Sequence, residues 1–209
     1  MIYTVLDAET TSKYPNSAMP VAVSYVSYDD NLARTASGIL YFYDDSIPES
    51  DPGAIAVHGL NKSKLMQYKD DFETNVRKLY KLLWRGNVVG YNSDRFDIPV
   101  LTHFLAKQGI VEQDKYGMAK DFLIERKIDI YKVVKPILPG RITESGRKGG
   151  KQLCDAAEYF DIKPEQMAML YRAYFGKTPT DSGFHSAEYD TFVTAMLFCK
   201  LAKEGYIKL

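Results

Sequence analysis

The hydrophobic pattern of the chain changes its period near residue 70, and this change limits the folds that the sequence can adopt. Before that point, short apolar runs rich in β-branched residues predict three strands, at residues 2–6, 21–26 and 38–43. The second strand has one favoured face, and the short polar connections are typical of antiparallel neighbours. After that point, helical spacing alternates with brief strand-like runs.

The remaining part of the chain predicts five helices and two further strands. The helices span residues 71–84, 96–108, 152–160, 164–175 and 185–203, and the strands span residues 87–91 and 128–131. Three strands followed by alternating strands and helices predict an α/β protein with a mixed five-stranded sheet flanked by helices. The length of 209 residues fits one domain, residues 1–209.

Charge and cysteine content exclude several classes of protein. The 27 basic and 27 acidic residues balance, which excludes a uniformly basic nucleic-acid coat protein but leaves room for a local basic groove. The two cysteines match no metal-binding spacing and cannot form a disulfide framework. No apolar run approaches the roughly 18 residues of a membrane span, so we expect a cytoplasmic protein that does not enter a membrane.

Residues 139–151 form a stretch rich in glycine and basic residues. A connection of this length inside a compact domain is usually either functional or disordered. Arg147 and Lys148 are its candidates for contacts with nucleic-acid phosphates. The alternative is a solvated connector that meets no ligand.

Asp7 and Glu9 follow the first apolar run directly, so we expect them where the first strand ends. Residues two apart on a strand point to the same face, and both carboxylates can therefore approach one spot. A solvated strand end is the simpler interpretation of this pair alone. Against it, the preceding run is apolar enough to lie in the middle of a sheet, where like charges repel unless a cation or a proton neutralises them.

Three further candidates are ordinary when each is taken alone. Asp97 opens a predicted helix, where the helix dipole favours an acid and where Asp94 could serve equally well. His185 and Asp190 lie at the start of the last predicted helix, with Glu188 interpreted as part of its solvated face.

Together, the order of these residues resembles that of a known family, the DnaQ-like (DEDDh) 3′–5′ exonucleases of the ribonuclease H-like fold. The matching elements are Asp7-Ala8-Glu9-Thr10, Val57-His58-Gly59-Leu60, Asn92 with Phe96-Asp97, and His185-Ser186-Ala187-Glu188-Tyr189-Asp190. They fall in the family's order over nearly the whole chain. Four residues before Asp190, where the tyrosine branch of the superfamily needs a tyrosine, the chain has Ser186, so the histidine branch is preferred.

One motif departs from the pattern of many family members. Three residues, rather than two, separate Asn92 from Phe96. This longer version resembles the one in bacterial exonuclease I, which degrades single-stranded DNA from the 3′ end. The resemblance therefore favours single-stranded DNA over RNA as substrate, with nucleoside monophosphates as products.

The resemblance also implies roles for individual residues. Two divalent cations, Mg²⁺ or Mn²⁺, would be held by Asp7, Glu9, Asp97 and Asp190, with His185 as general base. Hard cations prefer carboxylate oxygens, which suits this set. The residues implied in substrate binding are Thr10, Thr11, His58, Leu60, Asn92 and Phe96, of which Leu60 and Phe96 could equally be plain core residues.

Several alternatives stay open at this point. The same site could trim RNA as an oligoribonuclease, because recognition of the 2′-hydroxyl has no signature in this sequence. The chain could be a proofreading subunit with a polymerase, or another replication or repair protein, as partner. A non-catalytic nucleic-acid-binding module is disfavoured, because such a chain should have lost one of the acids or the histidine.

Overall fold

Five strands form one mixed sheet in the order β3-β2-β1-β4-β5, which confirms the predicted α/β class. A computed structural model of the chain describes residues 1–112, 126–140, 151–179 and 186–209. The central strand β1 pairs antiparallel with β2 and parallel with β4, β2 pairs antiparallel with β3, and β4 pairs parallel with β5. The strands are β1 Tyr3–Thr10, β2 Pro20–Tyr28, β3 Arg34–Tyr41, β4 Asn87–Gly90 and β5 Lys127–Asp129.

Helices cover both faces of this sheet. In the described ranges they are α1 Pro52–His58, α2 Lys62–Leu65, α3 Phe72–Trp84, α4 Asp97–Lys107, α5 Ile130–Val134, α6 Leu153–Tyr159, α7 Ala168–Phe175 and α8 Ala187–Lys203, with 3₁₀ turns at Met66–Asp71 and Pro164–Met167. None of the helices in this part of the chain combines the length and the apolar character that crossing a bilayer requires.

The two faces of β1 pack against different helices. Tyr3 and Val5 belong to the core built around α8, together with parts of α5, α6 and α7. Leu6 and Ala8 belong to the core built with α3 and α4. Since side chains alternate along a strand, the residues at positions 7 and 9 continue the face that carries Tyr3 and Val5. The register of the apolar residues thus turns positions 7 and 9 towards the side of α8.

Several predicted elements differ from the observed ones. Strand β1 continues to Thr10, so Asp7 and Glu9 lie within the strand rather than at its end, with a bulge between Glu9 and Thr10. The whole of β2 is buried, because Val23 and Tyr25 face one core while Val26 and Tyr28 face the other. The prediction of a single favoured face was therefore wrong.

The predicted strand at residues 128–131 ends earlier than expected, and the structure contains an early helix that was not predicted. Strand β5 ends at Asp129, whose side chain accepts a hydrogen bond from the N–H of Tyr131 and caps α5. Helix α1 was not predicted, since none of its residues is buried and no apolar periodicity marks it. Its start does carry a sequence signal, because Pro52 occupies the first turn, where its missing N–H costs nothing.

A tight turn between β4 and α4 brings the start of α4 back to the sheet. Asn92 adopts a left-handed conformation with φ of 57°, and the carbonyl of Ser93 accepts from the N–H of Phe96 at 3.3 Å and of Ile98 at 3.0 Å. Gly90 makes this turn possible, because a Cβ there would lie 2.5 Å from Cβ of the buried Ser93. A side chain at position 90 would therefore force the turn to shift.

We expect Gly90→Ala to destabilise the protein by about 1–3 kcal/mol, because overpacking forces the backbone or Ser93 to move. Urea unfolding would measure this change. Gly53→Ala is the matched control, since a Cβ at that helical position meets nothing within 4 Å and should be neutral or mildly stabilising. Equal stability of the two variants would contradict the close approach at Gly90.

Candidate active site

Four acidic side chains, which we term the acidic cluster, come from three separate elements. Asp7 and Glu9 project from β1 towards the side of α8, and Asp190 lies in the first turn of that helix. Asp97 is the first residue of α4 and is 7% exposed. Because α8 packs against the same face of β1, the sheet register and the helix start place these carboxylates at one edge of the core.

A single hydrogen bond fixes Asp97 against the central strand. The N–H of Ala8 donates to Oδ1 of Asp97 at 3.1 Å, across 89 residues of sequence. Ala8 lies between Asp7 and Glu9 in the chain, so this bond holds the third acid beside the first two. The turn after β4 delivers Asp97 to that position.

Burial and mutual repulsion raise the pKa values of the cluster. The pKa of Glu9 rises to about 8, first through burial and then through the charges of Asp190 and Asp97. Burial also raises the pKa of Asp97 to about 7, even though the N–H of Ala8 stabilises its charged form. The pKa of Asp7 is raised well above its usual range by burial and by Asp97, Asp190 and Glu9.

The chemistry of the cluster suits a hard divalent cation, but its side chains do not form a ready-made coordination site. Carboxylates that raise each other's pKa values are a set that a cation would neutralise. Across the four described ranges, no group of three or more His, Cys, Asp or Glu side chains is arranged to hold a metal ion.

Asp129 is a functional candidate that sequence reasoning missed. It is 7% exposed, and its carboxylate accepts from the N–H groups of Asn92 at 2.8 Å, Tyr131 at 3.1 Å and Asp94 at 3.4 Å. Its charge also raises the pKa of Asp97. The signal that could have found it is the helix N-cap, since Asp directly precedes the apolar start of α5.

Two other acids near the candidate site, Asp94 and Glu188, pair with lysines. Asp94 forms ion pairs with Lys127 and Lys132, which hold its pKa below the usual range despite some burial. Glu188 is only 5% exposed and pairs with Lys177, so its interpretation as part of a solvated face was wrong. Its charge contributes to the raised pKa of Glu9, after burial, Asp190 and Asp97.

Two clefts border the acidic cluster. The first cleft has a volume of about 520 Å³, is mainly apolar, and includes Glu9 in its wall. Among the predicted substrate-binding residues it brings together Thr10, His58 and Phe96. The second cleft, of about 580 Å³, includes Asp7 and Asp190, together with Asn92. Its other lining residues are Tyr91, Arg95, Tyr131, Lys151, Gln152, Leu153 and Cys154.

Two further residues that were predicted to bind substrate, Thr11 and Leu60, make contacts within the protein. Thr11 is buried, and its hydroxyl accepts from the N–H of Met19 at 3.0 Å. Leu60 packs against Val21, Tyr43 and Leu65, outside the residues that line either cleft. Both residues therefore have structural contacts, and their predicted roles in substrate binding stay predictions.

Three predicted functional residues lie outside the described part of the chain. His185 falls in residues 180–185, and Arg147 and Lys148 fall in residues 141–150. Lys151, at the end of the basic stretch, is described. Its Nζ donates to the carbonyls of Lys135 and Leu138, so it closes the end of α5.

Comparisons with known proteins match the structure of this chain but not its sequence. No protein-family profile and no curated protein sequence matches it. E. coli exonuclease I in complex with a dT13 oligonucleotide is similar, with a TM-score of 0.68 at 15% identity over 96% of this chain and 41% of that one. For its complex with a 5cy-dT13 oligonucleotide, the TM-score is 0.70 at 14% identity, over 98% and 41% of the two chains.

The chain has the fold of E. coli exonuclease I. A zinc-bound form of the E. coli ExoI–ssDNA complex gives a TM-score of 0.66 at 16% identity, with 98% of this chain and 41% of that chain covered. The chain spans about two fifths of the length of these exonuclease I chains. At this identity the likeness establishes the exonuclease I fold alone.

The raised pKa values predict how the stability of the metal-free protein depends on pH. The unfolded chain loses carboxyl protons near pH 4, whereas the folded chain keeps some until about pH 7–8, so stability falls as pH rises through that window. Asp97→Asn keeps an acceptor for Ala8 without the charge. In chelator it should melt above the parent at about pH 8 and show a shallower decline of Tm.

The matched control is Asp94→Asn. The pKa of Asp94 is lowered by its two lysines, so its charge stabilises the fold at neutral pH, and the substitution should lower Tm there. Two results together would contradict the repulsion within the acidic cluster. In chelator, the Tm of the parent would rise between about pH 5 and pH 8, and Asp97→Asn would leave that slope unchanged.

Proposed function

We propose that residues 1–209 form a metal-dependent 3′–5′ exonuclease that releases nucleoside monophosphates, with single-stranded DNA as preferred substrate. The observation that carries the proposal is the acidic cluster, with Asp97 bonded to the strand of Asp7 and Glu9, at the junction of two clefts. The exonuclease I fold supports it, as does the order of the sequence motifs.

The two clefts suggest how a strand end is arranged. The first cleft, mainly apolar and lined by Val57 and Phe96, suits the base and sugar of the terminal nucleotide. The second cleft, with Asn92 and Arg95, suits the preceding part of the strand and its phosphates. Glu9 lies in the first cleft and Asp7 in the second, so the scissile phosphate would lie between them.

Divalent cations held by Asp7, Glu9, Asp97 and Asp190 would neutralise charge on the phosphate undergoing attack. The protein residues have complementary tasks. The bond from Ala8 orients Asp97, and Asp129 holds the turn that precedes it. His185 takes a proton from the attacking water, for which an imidazole with a pKa near its ordinary value of about 6.5 is suited.

The preference for single-stranded DNA rests on the spacing around Asp97 and on the similar structures, which include complexes of E. coli exonuclease I with dT13 and dA16 oligonucleotides. Another similar structure is an ExoI/SSB-Ct complex, and it supports a replication or repair protein as partner. Rates on matched DNA and RNA oligonucleotides test the preference. Faster cleavage of RNA would identify an oligoribonuclease.

We expect Asp7→Asn to abolish release of mononucleotides from an end-labelled single strand in Mg²⁺ or Mn²⁺, because the substitution removes a carboxylate from the acidic cluster. In chelator the variant should melt no lower than the parent, since like-charge repulsion is relieved. Asp70→Asn, which changes an exposed acid on the 3₁₀ turn, is the matched control and should keep full activity. Near-normal activity of Asp7→Asn would remove it from the set of ligands.

We expect His185→Ala to lower the rate of cleavage by roughly 10²–10⁴-fold with little change in substrate affinity. In the parent, the rate should climb as pH rises through the titration of the histidine and then level off, whereas this limb should vanish in the variant. His103→Ala, which removes a half-buried histidine of α4, controls for loss of an imidazole elsewhere. Turnover of His185→Ala at the parental rate would assign proton transfer to another group.

A further inference from the structure

The second cleft contains a cation whose head group is not engaged by any other residue of the four described ranges. Arg95 is exposed, lines the cleft with Asp7 and Asp190, and forms no ion pair within those ranges. The other cation of the cleft, Lys151, donates to the carbonyls of Lys135 and Leu138. Arg95 is therefore the basic side chain of this cleft that is available to an incoming anion.

The two carboxylates of the adjoining turn, those of Asp94 and Asp129, do not compete for Arg95, because both have other partners. Asp94, its neighbour in sequence, pairs with Lys127 at 3.0 Å and also with Lys132. Asp129 accepts three backbone N–H groups. One acid shared by two lysines leaves a surplus positive charge beside Arg95, and the charges of Arg95 and Lys132 repel each other. A bound anion would relieve that repulsion.

The rest of the cleft suits a nucleotide unit rather than a free inorganic anion. Tyr131 lies in its wall with its ring 5.9 Å from that of Tyr91, at an interplanar angle of 71°. The Tyr91 hydroxyl donates to the carbonyls of Lys151 and Gln152, which anchors that ring in the wall. Aromatic faces and edges of this kind pack against unpaired bases or sugars.

We infer that Arg95 binds the phosphate that precedes the scissile one in the substrate strand, which lies in the second cleft against Tyr131 and Tyr91. This inference rests on the proposed exonuclease function and extends it by naming the residue that fixes the strand. The acidic cluster serves the scissile phosphate, so the next phosphate needs a separate cation. The planar guanidinium of arginine suits it, because two of its N–H groups can reach two phosphate oxygens together.

The experiment uses an oligodeoxynucleotide whose penultimate linkage is an uncharged methylphosphonate. With the fully charged strand, Arg95→Gln should raise KM by roughly 10- to 100-fold, as loss of a hydrogen bond to a charged group predicts. With the methylphosphonate strand, parent and variant should have similar KM values, because the partner of Arg95 is gone. Arg95→Lys should restore part of the loss.

Binding of the charged strand, measured in Ca²⁺ without turnover, supplies a second readout. The log–log salt slope of the affinity should be shallower by about 0.7 in Arg95→Gln than in the parent. Arg85→Gln, which changes an exposed arginine just after α3, is the matched control and should alter neither KM nor the slope. A methylphosphonate placed five linkages from the end should leave the difference between parent and Arg95→Gln intact.

The outcomes separate this inference from the proposed function. A parent that cleaves while Arg95→Gln has an unchanged KM and salt slope would overturn the role of Arg95 and leave the exonuclease standing. If the KM of Arg95→Gln exceeded that of the parent by the same factor on the methylphosphonate strand, the phosphate contact would also be overturned, because Arg95 would then contact a different group. A parent that binds single strands through Arg95 but releases no mononucleotide would overturn the exonuclease and support the phosphate contact.

Discussion

The hydrogen bond from the N–H of Ala8 to Asp97 connects the centre of the sheet to the start of α4, and the geometry of the acidic cluster depends on it. Ala8 is available as a donor because the adjoining strand β4 pairs with β1 only along residues 3–5. Beyond that point the edge of β1 faces the turn that follows β4. A backbone N–H that does not take part in strand pairing thus holds the carboxylate of Asp97 in place.

The turn that carries Asp97 is itself held by polar groups that would be costly to bury alone. Asn92 and Asp94 both give their N–H groups to Asp129, and Gly90 lets the chain pass close to Ser93. The charges in this turn differ as well, since Asp94 pairs with two lysines whereas Asp97 has no lysine partner in the ranges that the structure describes. Two aspartates three residues apart therefore have pKa values shifted in opposite directions by their surroundings.

The sequence was sufficient to predict the mixed sheet and the acids that the structure brings together. Apolar periodicity follows burial directly, so long elements such as α3 and α4 were found within a residue or two. The motif order identified Asp7, Glu9, Asp97 and Asp190. Features that arise only from contacts between distant residues were missed. Glu188 looks solvated in sequence, but it is buried and pairs with Lys177. The sequence could have indicated Asp129 only as the N-cap of α5, because its bonds to the N–H groups of Asn92 and Asp94 join residues that are distant in the chain.

The alternation along β1 has a consequence for how this site can change. Asp7 and Glu9 occupy the same face as Tyr3 and Val5, so their orientation is inherited from the packing of the core. A slip of this strand by one residue relative to its neighbours would turn both carboxylates towards α3 and α4 while the apolar residues exchanged sides. The same alternation therefore sets both the packing of the core and the orientation of the two acids, and a change of register alters both together.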